Sequence, residues 1–128
     1  MQEGDKFEVL YSITPEVYKV YVDGFADKNP LHTDEEFAKE KGFPSVVMHG
    51  GILTGFLSNF IGEQLPIKNV MIQAYKITFV KPVFLNTVVT LKAVVTGVYE
   101  SVRCMELKYS FETDDVLICK GDIKIGII

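Results

Sequence analysis

The sequence predicts an α+β protein in which one long antiparallel sheet wraps a single buried helix. Three observations carry that prediction. Residues 51–62 are apolar nearly all round, the chain after Pro66 alternates apolar and polar residues with a period of two, and short, well-capped helical segments precede both. The predicted order is one strand, two short helices, the buried helix and about four long strands. The layer rules fold such an order as a sheet packed on a helix.

The first helix is set by Thr14-Pro15-Glu16, an N-cap followed by proline at the first helical position. Val17, Tyr18, Tyr21, Val22 and Phe25 then recur at helical spacing, giving a helix over residues 15–26. Thr33-Asp34-Glu35-Glu36 is a capping box with acid in the first turn, and Gly42 closes the segment, so a second short helix is expected over residues 34–41. Between them, Asp27-Lys28-Asn29-Pro30-Leu31-His32 reads as a turn, because proline disfavours helical geometry at Asn29. The apolar run over residues 51–62 is expected to be a central helix buried on most sides.

The strands announce themselves by alternation. Met105, Leu107, Tyr109 and Phe111 interleave with Glu106, Lys108, Ser110 and Glu112, and the pattern repeats in Val89, Leu91, Ala93 and Val95 and in Ile123, Ile125 and Ile127. Asp114-Asp115 predicts a tight hairpin between the last two strands. A single sheet leaves edge strands open, and pairing with a second copy would cover them; a dimer at least is expected.

Composition narrows the function. With 128 residues, 48% of them hydrophobic and 23% charged, the chain has the size of one domain and can build a core. The formal net charge of -4 is spread along the sequence, with no basic run to track a phosphate backbone, so nucleic acid is not an expected partner. The longest apolar stretch, residues 52–61, is shorter than the about 20 residues a membrane span needs. No basic start with an apolar segment behind it marks a secretory leader, and Cys104 and Cys119 lack CxxC spacing. A cytoplasmic protein with free thiols is expected.

Two places carry chemistry. Asp27, Asn29 and His32 crowd one turn, bringing a carboxylate, an amide and an imidazole together; imidazole titrates near neutrality and a neighbouring carboxylate can exchange protons with a bound water. The same residues are ordinary turn formers, and spacing alone favours that plainer role. The second place is His49-Gly50-Gly51 at the start of the central helix. There the Gly50 N–H meets the helix dipole and no side chain bars a carbonyl from the backbone, so an oxyanion could dock. Paired glycines also make plain turns, and His49 is expected to hydrogen-bond nearby backbone.

These residues resemble the R-specific enoyl-CoA hydratases, or MaoC-like dehydratases, a family with the hotdog fold. Phe25-Ala26-Asp27-Lys28-Asn29-Pro30-Leu31-His32 is similar to the family signature of aspartate, any residue, asparagine, proline, aliphatic and histidine. Phe37-Ala38 follows on the next helix, Val47-Met48-His49-Gly50 matches the second block, and Phe79-Val80-Lys81-Pro82-Val83 resembles the strand and bend after the central helix. The resemblance implies that Asp27 and His32 hold the catalytic water, that Asn29 orients the site and that the Gly50 N–H polarises a thioester carbonyl. It further implies interconversion of trans-2-enoyl and (R)-3-hydroxyacyl thioesters of coenzyme A or acyl carrier protein, without metal or organic cofactor. Ala26 stands where the family usually has glycine, and Gly51 where it usually has a larger residue.

A homodimer or a larger even oligomer is expected, with Leu53, Leu57 and Phe84 as candidates to shape the acyl pocket beside Gly50 and Gly51. Competing readings are a metal site, a hotdog thioesterase and a non-catalytic acyl-thioester-binding protein. Asp27, Asn29 and His32 miss the calcium-loop pattern and have too few soft neighbours for zinc. Thioesterases generally place a carboxylate on the central helix, and residues 51–62 contain none.

Overall fold

Five strands pair in a single antiparallel sheet of order β1-β3-β4-β5-β2, with β1 spanning Lys6–Ser12, β2 Val70–Phe79, β3 Val88–Tyr99, β4 Cys104–Thr113 and β5 Val116–Ile127. The structure is a computed structural model and describes residues 1–128. The alternation read from the sequence maps onto the sheet's two faces. Val89, Leu91, Ala93 and Val95 of β3 and Met105, Leu107, Tyr109 and Phe111 of β4 are all buried, whereas Glu106 and Lys108 are exposed. Asp114 and Asp115 both adopt positive φ, 48° and 61°, the geometry a two-residue hairpin turn demands, and they join β4 to β5 as expected.

The helices lie between β1 and β2 in sequence: α1 Pro15–Phe25, α2 Pro30–Thr33, α3 Glu35–Glu40 and α4 Gly50–Asn59. The Thr14 side chain accepts from Val17 N, as an N-cap should. Asp34, not Thr33, caps α3 by accepting from Phe37 N. Ala26 ends α1 in the left-handed region, φ 57° and ψ 25°, which explains why a glycine suits this position.

Three expectations need correction. Residues 27–32 are not all turn: Asn29 caps the one-turn helix α2, its side chain accepting from Leu31 N, because proline is well tolerated at the first helical position that follows. The central helix begins one residue earlier than expected and gives way at Phe60 to a wider π-helical turn, Phe60–Gln64. It is also buried along one side rather than most sides. Ile52, Leu53 and Leu57 face the sheet, while Gly55, Ser58 and Asn59 are exposed, since the sheet covers α4 from one direction only.

Candidate active site

Asp27 and His32 are brought together by bonds that reach across the chain. His32 Nδ1 lies 2.7 Å from Val47 O. A carbonyl only accepts, so Nδ1 carries a proton, and in the neutral ring Nε2 is the nitrogen with the lone pair. The backbone of His32 is held as well, by the Tyr18 hydroxyl, which donates to His32 O at 2.6 Å. Asp27 is exposed, and its Oδ1 accepts from Asn29 N at 3.2 Å. Asn29 therefore organises the turn through its own backbone and through its cap to α2.

His49 does more than the sequence suggested. It is 2% exposed, the one polar residue of the buried set. Its Nε2 donates to Asp27 O, 2.9 Å away and 22 residues earlier, so it does bond backbone, but backbone that only folding brings near. Its Nδ1 is buried without a partner. The His49 and His32 rings stack at 4.0 Å between centroids, 29° from parallel. Asp27, His32 and His49 thus bring one donor atom each within 4.8 Å of one another. That spacing suits a water shared by a carboxylate and an imidazole, and it adds to the metal reading a ligand that sequence spacing had not counted.

Gly50 and Gly51 open α4 immediately beyond His49, which gives the helix no side-chain cap. The dipole end of α4 therefore faces the site with its first N–H groups free of a capping side chain. Two aromatic rings flank it. A Cβ added to Gly50 would stand 2.5 Å from Phe79 Cζ, and one added to Gly51 would stand 2.0 Å from Tyr21 Oη. A groove of about 960 Å³ runs from Gly51 along α4, walled by Val17, Val20, Tyr21 and Phe25 of α1 and by Ile72 and Tyr75 of β2.

The three acyl-pocket candidates are not gathered in one place. Leu57 borders the groove along α4, Leu53 lines a smaller depression with Gly50, Phe79 and Pro82, and Phe84 lies in a third with Thr113 and Val116. Phe84 instead pairs its backbone with Val47, behind the His32 anchor. Tyr18 and Tyr21 were visible in the sequence as the apolar face of α1, but nothing in their spacing distinguished a functional tyrosine from a packing one.

Fold and site together define a hotdog-fold protein with an aspartate and histidine pair beside the N-terminus of its central helix. The comparisons with known proteins take the assignment one step further. The chain belongs to the MaoC-like domain family, whose model matches residues 1–114, a span containing both the Asp27–His32 segment and the start of α4. It is 36% identical over 74 residues to an (R)-specific enoyl-CoA hydratase of Aeromonas caviae, covering 58% of this chain and 55% of that relative. With an (R)-specific enoyl-CoA hydratase of Rhodospirillum rubrum it shares 22% over 127 residues, 99% of this chain and 88% of the relative. The solved structure of the (R)-hydratase of A. caviae involved in PHA biosynthesis aligns with a TM-score of 0.91 at 26% identity, covering 100% of this chain and 98% of that one.

Proposed function

We propose that the chain catalyses the reversible addition of water to trans-2-enoyl thioesters, yielding (R)-3-hydroxyacyl thioesters. The observation that carries this reading is the grouping of Asp27 and His32: a ring nitrogen of His32 and a carboxylate oxygen of Asp27 lie within 4.8 Å of each other, with the ring held by Nδ1–H donating to Val47 O. Hydratases among the relatives, on both the sequence and the structural side, support it.

In this reading one water sits between Asp27 and His32. Its oxygen adds to C3 of the enoyl group, one of its protons is taken up by the pair, and a proton is delivered to C2. Charge that builds on the thioester oxygen is held by the N–H groups opening α4 and by the helix dipole. Dehydration runs the same steps backward. Coenzyme A and an acyl carrier protein present the same pantetheine arm, so the reading covers both as carriers of the acyl group. Two copies are expected to pair, because Val20, Phe25 and Tyr75 leave an apolar face exposed beside the uncovered edge of β2. No helix is long and apolar enough to cross a membrane.

The test follows the conjugated-thioester absorbance of crotonyl-CoA and longer enoyl-CoAs, with chiral analysis of the product. Loss of absorbance with (R)-3-hydroxyacyl product is expected, and activity should survive EDTA. Activity lost to EDTA and restored by a divalent cation would instead make Asp27, His32 and His49 a metal site.

A further inference from the structure

Gly51 and Tyr21 compete for one volume. The Cβ of any other residue at position 51 would stand 2.0 Å from Tyr21 Oη and 2.6 Å from its Cζ. Only glycine there lets the phenol lie where it does. The chain therefore has a tyrosine hydroxyl, delivered from α1, in the space that a larger residue after the His49-Gly50 block would fill.

The ring that carries that hydroxyl packs beside one of the two stacked histidines. The Tyr21 ring stands 4.7 Å from His49 between centroids, and His49 stacks on His32. Tyr18, three residues earlier on the same face of α1, has its hydroxyl committed to His32 O. The Tyr21 hydroxyl is engaged with no atom of the chain. Tyr21 borders the groove along α4, and its hydroxyl lies against Gly51 in the first turn of that helix, which has no side-chain cap.

We propose that Tyr21 is a hydrogen-bond donor to the substrate's thioester carbonyl, acting together with the N–H groups that open α4. The proposal rests on the hydration reading for its substrate class. The physical reason is that a preorganised donor aimed at a developing oxyanion stabilises the transition state more than the ground state. A phenol O–H supplies such a donor without bringing a cationic side chain into the site. His49 fixes the ring from one side and the bare Gly51 backbone admits it from the other, so the hydroxyl is in place before substrate arrives.

Tyr21→Phe keeps the ring and removes only the donor. For crotonyl-CoA the expected loss in kcat/KM is roughly a hundredfold, the scale of one oxyanion donor, and it should fall mainly on kcat. Binding separates this role from packing. Affinity for butyryl-CoA, an unreactive thioester, should fall in Tyr21→Phe, whereas affinity for S-butyl-CoA, a thioether with no carbonyl, should equal that of the wild type. Unchanged kcat/KM, or equal losses of affinity for the two ligands, would overturn the proposal. A wild-type protein inactive on every enoyl thioester, yet with the carbonyl-selective loss in Tyr21→Phe, would count against hydration and support the donor role.

Discussion

The β4–β5 hairpin and the cap formed by α1 and α2 are held together in different ways. In the hairpin the register runs without a break from Cys104↔Gly126 to Phe111↔Cys119, and Leu107, Phe111 and Ile125 are fully buried behind it. In the cap, neither α1 nor α2 has a single buried residue. Asp27 and His32 are positioned by three hydrogen bonds, two donated by Tyr18 and His49 and one accepted by Val47 O. Stability in the hairpin is spread over many apolar contacts, while geometry in the cap is concentrated in a few polar ones. Substitutions in the two regions should therefore separate stability from chemistry.

The sharpest contrast is expected from Asp27→Asn, which should lower kcat/KM for enoyl-CoA by about a thousandfold, within the range of acid–base catalysis, while shifting stability by under about 0.5 kcal/mol. Phe111→Ala should do the reverse, costing about 3–5 kcal/mol in denaturant unfolding with turnover per folded molecule unchanged. A drop in intrinsic turnover there would break the comparison. His49→Leu joins the regions, because it removes the donor to Asp27 O from a buried site. It should cost about 1–3 kcal/mol and lower kcat more than it raises KM.

Smaller effects sharpen the picture. Ala26 holds a left-handed conformation at the end of α1, and Ala26→Gly should stabilise the protein by about 1 kcal/mol in thermal unfolding. Burial pushes the Cys119 thiol from its ordinary 9.0 up to about 11. A raised folded pKa means that the unfolded chain gives up its proton first, so this contribution is intact below about pH 9 and lost between pH 9 and 11. Cys119→Ala should flatten that part of the pH–stability curve.

Legibility followed the same division. The hairpin was readable because Met105 to Phe111 alternate strictly and Asp114-Asp115 punctuates them, so period and turn chemistry agree on one local answer. Asp27, Asn29 and His32 could be singled out because they are neighbours in sequence. The reach of His49 to Asp27 O, and the wedge of Tyr21 over Gly51, depend on how α1 and α4 pack, and no local pattern encodes a contact across 22 or 30 residues. The exposed side of α4 is not legible in the sequence for a related reason: an apolar helix does not say from how many directions its sheet will cover it. The acyl-pocket candidates failed to converge because Leu53, Leu57 and Phe84 share a chemical type but not a location.

The central claim is that Asp27 and His32 act as one unit on one water. It is tested most directly by measuring crotonyl-CoA hydration and butyryl-CoA binding side by side for the wild type, Asp27→Asn, His32→Gln and the double mutant. Either single substitution should remove nearly all turnover, the double mutant should be little worse than either, and all four proteins should bind the unreactive thioester alike. Losses that simply add would show two residues working separately. Tight wild-type binding with no hydration, across chain lengths and with a carrier-protein substrate, would contradict the account and leave a non-catalytic acyl-thioester-binding protein.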